Sequence, residues 1–314
     1  MSNKLSRRNW SKLSLTGLAG IMLPPGILSV TGSFAGSGVL PHTAGAAGVI
    51  IGVQSYSFRD RSLDEMIKAM NQLGLKSCEL WQGHVEPAEL MWKPNTSPEE
   101  MKRKNEGLKA WRSTVTMDEI KKIRDKINNA GITIQAYNGP FATRDSDEEF
   151  ELVFRTAQAL GTDSITTSAT VDVMKRVDVL ARKYKIKVGM HNHANIKDPN
   201  EFATPESFMR GMEGNSEFIR INLDIGHFTA ADYDAVDFMK KYHEKIICIH
   251  LKDRKKSQGA GVPFGEGDAP IAQVLKLIKE NKWPIPANIE YEYKGTDTIA
   301  EVKKCLEYAN NVLA

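Results

Sequence analysis

Seven histidines stand in the chain, at 42, 84, 191, 193, 227, 243 and 250, and five of them fall at or just after short apolar runs. The run Gly189-Met190-His191-Asn192-His193 alternates. A strand period of two puts His191 and His193 on one side and Asn192 on the other. Asn222-Leu223-Asp224-Ile225-Gly226-His227 turns Asp224 the same way, with His227 on the loop beyond. Ile249-His250-Leu251-Lys252-Asp253 places His250 and Lys252 on one face, and Ile289-Glu290-Tyr291-Glu292 does so for both carboxylates. Singly, each has an ordinary explanation. An inward histidine is usually a hydrogen-bonded core residue, Asp224 could cap the next helix, and Glu290 could be half of a buried ion pair with Lys252. Jointly, His191, Asp224, His250 and Glu290 at matching depths would be a costly cluster without a cation. Mixed nitrogen and oxygen donors of this kind suit one divalent ion, Mn²⁺, Zn²⁺, Co²⁺ or Fe²⁺. Either His191 or His193 can supply the ligand from its strand, and His191 is the one expected.

Such convergence needs strands that end side by side. From residue 49 the sequence repeats one pattern, a short apolar or β-branched run followed by an amphipathic stretch. The spacing predicts strands at Val49–Phe58, Ser77–Gln82, Thr133–Asn138, Ser164–Ser168, Lys187–His193, Arg220–Ile225, Ile246–Lys252 and Ala287–Tyr293. Helices are expected at Ser62–Leu73, Thr116–Ala130, Asp147–Leu160, Val171–Tyr184, Thr204–Met212, Ala231–His243, Ile271–Asn281 and Thr298–Leu313. Ser62 and Thr116 supply start signals, and Gly74, Gly131 and Gly161 stop signals. Eight βα units over residues 49–314 predict a single-domain α/β fold, the (β/α)8 TIM barrel, whose chemistry sits at the strand C-termini. An open doubly wound sheet is disfavoured, because Gln54-Ser55-Tyr56-Ser57-Phe58 stands where a Gly-rich phosphate loop would follow the first strand. Residues 84–115, with Trp92 and Trp111, form an insertion after strand two, read either as a lid or as a solvated loop.

The 314 residues are 41% hydrophobic and 26% charged, a globular composition and not a disordered one. No apolar run reaches the ~18 residues of a membrane span. The net charge of +3 is concentrated at the start: residues 1–46 hold Lys4, Arg7, Arg8 and Lys12 and no acid, leaving 38 basic against 39 acidic residues elsewhere. That balance gives no electrostatic reason to bind nucleic acid. Ser6-Arg7-Arg8-Asn9-Trp10-Ser11-Lys12 followed by Leu13 to Leu23 resembles a twin-arginine export signal, with Ala44-Gly45-Ala46 as a cleavage pattern and Ser33-Phe34-Ala35 as a poorer one. The expectation is a periplasmic or secreted protein with no stable membrane anchor after signal removal. Three cysteines, 78, 248 and 305, do not make a disulfide scaffold; Cys78 and Cys248 read as core residues.

Leu-Asp-Ile-Gly-His (223–227), Ile-His-Leu-Lys-Asp (249–253), Phe-Gly-Glu-Gly-Asp (264–268), Ile-Glu-Tyr-Glu (289–292) and, less specifically, Ser-Cys-Glu-Leu (77–80) resemble the sugar phosphate isomerase/epimerase superfamily of xylose isomerase-like TIM barrels. The resemblance implies that Asp224, His250 and Glu290 are metal ligands and that His227 contacts substrate. It departs at strand five, where family epimerases carry Glu-Asn-His and this chain has His191-Asn192-His193. His191 can still bind metal, but the second catalytic carboxylate is missing. The implied chemistry is proton abstraction next to a carbonyl of a sugar or keto-sugar, through an enediolate. Glu290, His193 and Glu292 are the candidate bases. Lys252 would stabilise an oxyanion or pair with Glu292, and Glu79 and His84 are expected on the substrate side. A metal-dependent isomerase or epimerase comes first. Elimination from a keto-sugar or 3-keto-glycoside by a lyase or dehydratase is the alternative, which export of the protein favours. A non-catalytic carbohydrate-binding barrel is the third reading. Gln54, Tyr56, Trp81 and Tyr137 are expected to shape the sugar pocket.

Overall fold

The computed structural model describes residues 48–91 and 95–314; the expected export signal and Trp92 lie outside the described residues. Eight short, buried runs pair in parallel and close on themselves. They are β1 (Ile51–Gln54), β2 (Ser77–Trp81), β3 (Thr133–Asn138), β4 (Ser164–Thr167), β5 (Lys187–His191), β6 (Ile219–Asp224), β7 (Ile246–Leu251) and β8 (Ala287–Ile289). Ile51 opposite Ala287 and Val53 opposite Ile289 join the first strand to the last. The helices are α1 (Leu63–Leu73), α2 (Pro98–Thr114), α3 (Met117–Asn129), α4 (Asp147–Leu160), α5 (Met174–Tyr184), α6 (Pro205–Met212), α7 (Ile225–Ala230), α8 (Ala235–Tyr242), α9 (Ile271–Asn281) and α10 (Thr298–Leu313). The (β/α)8 barrel expected from the sequence is therefore the architecture observed.

Local chemistry explains where the helices begin and end. Ser62 with Glu65, Thr116 with Glu119 and Ser146 with Glu149 form reciprocal capping boxes at the starts of α1, α3 and α4. Gly74 and Gly161 end α1 and α4 with φ of 74° and 79°, a conformation open to glycine at little cost. The apolar faces bury Met66 and Met70 from α1, Ile120 and Ile127 from α3, and Phe150 and Phe154 from α4. Each such side chain contributes about 1.5–3 kcal/mol. All three cysteines are free and buried. Among the described residues no helix is long and apolar enough to cross a membrane.

Several expected boundaries are corrected. Ser55–Phe58 continues β1 not as strand but as a 3-10 turn. Its hydroxyls take over strand pairing: Ser55 Oγ accepts from the Trp81 amide at 2.8 Å, and Ser57 Oγ accepts from the Tyr291 amide at 2.9 Å. The same contact explains why β8 ends at Ile289 and not at Tyr293. β5 and β7 likewise stop before His193 and Lys252. β6 stops at Asp224, which caps α7, a helix missing from the sequence reading. The helix expected over 231–243 starts only at Ala235, after Asp232 at φ 63° and the cap Asp234. The insertion is no plain loop, since α2 occupies 17 of its residues. Trp111 packs it onto the core, and Arg112 Nε pairs with Glu86 at 2.7 Å.

Candidate metal centre

Strand ends deliver the cluster. His191 closes β5, Asp224 closes β6, His250 lies in β7 and Glu290 follows β8. Asp224 stands opposite His250 in the β6–β7 register. All four side chains are buried, and one ligand atom from each lies within 4.8 Å of the others. That span is close to the diameter of a coordination sphere whose bonds are ~2.0–2.2 Å. Asp224 serves twice. One carboxylate oxygen accepts from the His227 amide at 2.7 Å and caps α7, so the helix-cap explanation holds beside the cluster. The other oxygen faces the cluster. Asn192 fixes this placement, accepting from the Asp224 amide at 2.9 Å and donating to its carbonyl at 3.1 Å. The sequence reading put Asn192 on the opposite side from His191 but missed this clamp.

The donor set fits a divalent cation. His191 Nδ1 is buried and makes no hydrogen bond, and Asp224 Oδ2 is buried with no hydrogen bond, its nearest ion-pair contact being Lys252 Nζ at 3.1 Å. The cluster thus holds a ring nitrogen whose burial costs free energy without a partner. Burial, with His250 and His193 nearby, pushes His191 well below the ordinary histidine range, so its imidazole stays neutral and able to ligate. Burial raises Asp224, opposed by Lys252. Burial would raise Glu290 too, but Lys252 and His250 outweigh it and hold Glu290 well below the usual carboxylate range. His250 is desolvated, yet Glu79 and Glu290 on either side raise it well above 6.5.

Lys252 is the positive charge among these acids. Its Nζ lies 3.1 Å from Asp224, 2.8 Å from Glu290 and 2.5 Å from Glu292. Burial would lower it, but the three carboxylates raise it above the usual lysine range, and it stays an ammonium. His227 sits between two cations, with Lys252 Nζ 3.1 Å from Nε2 and Arg254 Nη1 2.6 Å from Nδ1. Burial first, then Lys252, hold it well below the ordinary range. His193 is at the rim, its side chain 43% exposed and 3.7 Å from Glu201. The Phe-Gly-Glu-Gly-Asp segment is explained by Asp253, whose carboxylate accepts from the Gly265, Gly267 and Ala269 amides at 2.8, 3.0 and 3.2 Å. A Cβ on Gly267 would come within 1.9 Å of that carboxylate.

Around the cluster opens a cavity of roughly 370 Å³, in the range of small-molecule sites. His191, His193, His227, His250, Lys252, Glu290 and Glu292 line one side; Gln54, Tyr56, Trp81, Asn138 and Ser168 line the other. Two residues expected on the substrate side are elsewhere. Glu79 is fully buried beneath the cluster. His84 tucks behind Trp81 with its Nδ1 2.9 Å from Ser55 Oγ, and burial pushes it down to about 4. Tyr137 is also displaced. It faces the Glu86–Arg112 pair and Trp111 outside the barrel, and its neighbour Asn138 faces the cavity instead. The register shift between Cys78–Ile134 and Glu79–Ala136 leaves Gln135 as the extra residue of a bulge, so strict alternation from Gln135 would have turned Tyr137 inward. None of the described residues of 84–115 lines the cavity.

Comparison with known proteins agrees with this geometry. A family model described as a xylose isomerase-like TIM barrel matches residues 100–309. L-ribulose-5-phosphate 3-epimerase UlaE from Escherichia coli is 28% identical over 101 residues, 32% of this chain. The match spans only 36% of that curated relative. Among solved structures, the IOLI protein with a bound zinc atom superposes with a TM-score of 0.61 at 15% identity, covering 84% of this chain and 98% of that one. The probable 3-DHS dehydratase AsbF from Bacillus anthracis gives a TM-score of 0.59 at 15% identity, with coverage of 84% and 99%. These two likenesses are likenesses of fold.

Proposed function

The chain belongs to the xylose isomerase-like TIM barrel family, and from that premise we propose that it is a metal-dependent isomerase or epimerase of a sugar or keto-sugar. The observation that carries the reading is the buried cluster of His191, Asp224, His250 and Glu290 at the floor of a polar cavity. Those four residues would hold one divalent ion, Mn²⁺, Zn²⁺, Co²⁺ or Fe²⁺, which when bound polarises a carbonyl and its neighbouring hydroxyl. The zinc in the IOLI structure supports such an ion, and the epimerase named among the curated relatives supports the reaction class.

Roles follow from the proton inventory. Lys252, held as an ammonium by Asp224, Glu290 and Glu292, donates a hydrogen bond to a developing oxyanion. His227, held neutral between Lys252 and Arg254, contacts and orients substrate. The proton next to the carbonyl then goes to His193, at the exposed rim, or to a carboxylate, Glu290 or Glu292. Trp81 and Tyr56, packed edge to face with ring centroids 5.0 Å apart, offer an apolar wall for a sugar ring. Lys252 also favours a second reading, elimination from a keto-sugar or 3-keto-glycoside, because a departing β-substituent needs a proton donor; the dehydratase of the same fold is in keeping with it. The export signal expected at residues 1–46 supports the reading that the protein acts in the periplasm or outside the cell, on unphosphorylated substrate.

The test is metal-loaded protein with ketoses and 3-keto-glycosides in D₂O, followed by proton NMR. Isomerase or epimerase action predicts loss of the signal next to the carbonyl and a new sugar, both abolished in Glu290→Gln. An unsaturated product or a freed aglycone assigns elimination. Sugar binding without exchange or product, metal being bound, overturns catalysis in favour of a carbohydrate-binding barrel.

A further inference from the structure

Glu79 is the one acidic residue on β1 to β4, and it reaches the cluster from below. We propose that Glu79 is a positioning residue for the metal, fixing His250 with its proton on Nε2 so that Nδ1 is the ligand atom. The inference rests on the metal-site reading above.

The carboxylate of Glu79 is 0% exposed and ringed by donors. Oε1 accepts from Gln54 Nε2 at 2.7 Å and from Thr166 Oγ1 at 2.6 Å. Oε2 accepts from Asn288 Nδ2 at 2.9 Å and lies 2.8 Å from His250 Nε2. These four partners match the about four acceptor sites of a carboxylate, and the Cys248 thiol, 3.8 Å from Oε2, is a weaker fifth. If Nε2 carried no proton, two lone pairs would face each other at hydrogen-bond distance in a site without water to screen them. With the Nε2 proton held by Glu79, Nδ1 is the ring nitrogen that would give up its proton and lend its lone pair to a bound metal. That nitrogen faces the cluster, 3.0 Å from Glu290 Oε2 and 4.0 Å from Asp224 Oδ2. The opposite tautomer would aim an N–H among the ligand atoms. Asn222 places its Nδ2 3.1 Å from Nε2 while its Oδ1 accepts from Cys248 Sγ at 3.3 Å; the Nε2 proton requires this amide to exchange its oxygen and nitrogen, which turns an acceptor to the ring. Asn288 Nδ2 also donates to Gln135 Oε1 at 3.0 Å, which braces the Glu79 ring from further down the barrel. The arrangement is the carboxylate–histidine–metal relation in which an outer partner sets tautomer and ring orientation.

Glu79→Gln tests this. An amide that turns its oxygen to His250 turns its NH₂ toward the Gln54 and Thr166 donors, so the tautomer is no longer enforced. Zn²⁺ affinity, measured by chelator competition on the full chain, is expected to fall ~10–100-fold in Glu79→Gln. Gln135→Met, which disturbs the same buried polar column without touching His250, is expected to bind Zn²⁺ as the wild type does. The ¹⁵N-histidine spectrum of the Zn²⁺-loaded wild type is expected to show His250 protonated on Nε2 and metal-bound through Nδ1. Unchanged affinity in a folded Glu79→Gln variant, an equal loss in Gln135→Met, or coordination through Nε2 overturns the proposal while leaving the metal site standing. If Glu79→Gln does not fold, the wild-type spectrum decides alone. A wild type that takes up no Zn²⁺ overturns the metal-site reading itself, and this inference with it.

Discussion

The two halves of the barrel mouth are chemically unlike. The ends of β1 to β4 give the cavity Gln54, Tyr56, Trp81, Asn138 and Ser168, while those of β5 to β8 give it four histidines, Lys252, Glu290 and Glu292. Tyr56 stays neutral as well, because burial raises its hydroxyl. The contrast separates two tasks that a sugar enzyme must combine. The charged half assembles a cation site and moves protons, and the neutral half can hold hydroxyl groups and a ring face without competing for the metal. Glu79 is the exception that crosses over. It starts on the neutral half, under Gln54 and Thr166, and ends its contacts at His250.

Breaking the charged half produces the largest effects. His191→Ala or Glu290→Gln is expected to weaken metal binding by more than the ~100-fold at the upper end for an outer partner, as read by elemental analysis after dialysis. Retention of a full equivalent by both variants would place the site elsewhere. Lys252→Met comes next. It leaves Asp224 and Glu290 without their ammonium, which costs about 3–5 kcal/mol in metal-free protein. Denaturant unfolding with and without Zn²⁺ checks this, and the expected result is that Zn²⁺ recovers much of the loss. Equal stability of variant and wild type without metal would show that Lys252 does not neutralise the acids.

The neutral half is expected to respond differently. Trp81→Ala removes the edge-to-face contacts with Tyr56 and His84 and should raise KM or Kd for the sugar by about 3–10-fold, from ~0.5–1.5 kcal/mol for such a ring contact. Metal content should not change; if it falls, the division of labour drawn between the halves fails. The smallest effect belongs outside both. Ser146→Ala, at the start of α4, should lower stability by about 1 kcal/mol in thermal or denaturant unfolding and leave metal affinity and KM alone.

Much of this was legible in the sequence. The strand positions follow from apolar runs at regular spacing, and the capping boxes mark α1, α3 and α4. His191, Asp224, His250 and Glu290 could be brought together because strand ends at one rim of a barrel are neighbours whatever the loops between them do. The harder features were those in which a side chain replaces backbone pairing. Ser55-Tyr56-Ser57-Phe58 alternates like a strand, yet its serines serve as hydrogen-bond partners for neighbouring segments. Asp224 ends β6 by capping a six-residue helix too short to leave a periodic signal. Glu79 and Asn192 were opaque for another reason. Their worth lies in partners far away in sequence, 171 residues for the Glu79–His250 contact, and no local pattern shows such a contact.

The central claim is that the four-residue cluster is a mononuclear divalent-metal site. The most direct measurement is the metal content of the purified protein beside Glu290→Gln. The account predicts about one divalent ion per chain in the wild type and its loss in the variant. No ion in the wild type, even after soaking with Mn²⁺, Co²⁺ and Zn²⁺, would contradict it.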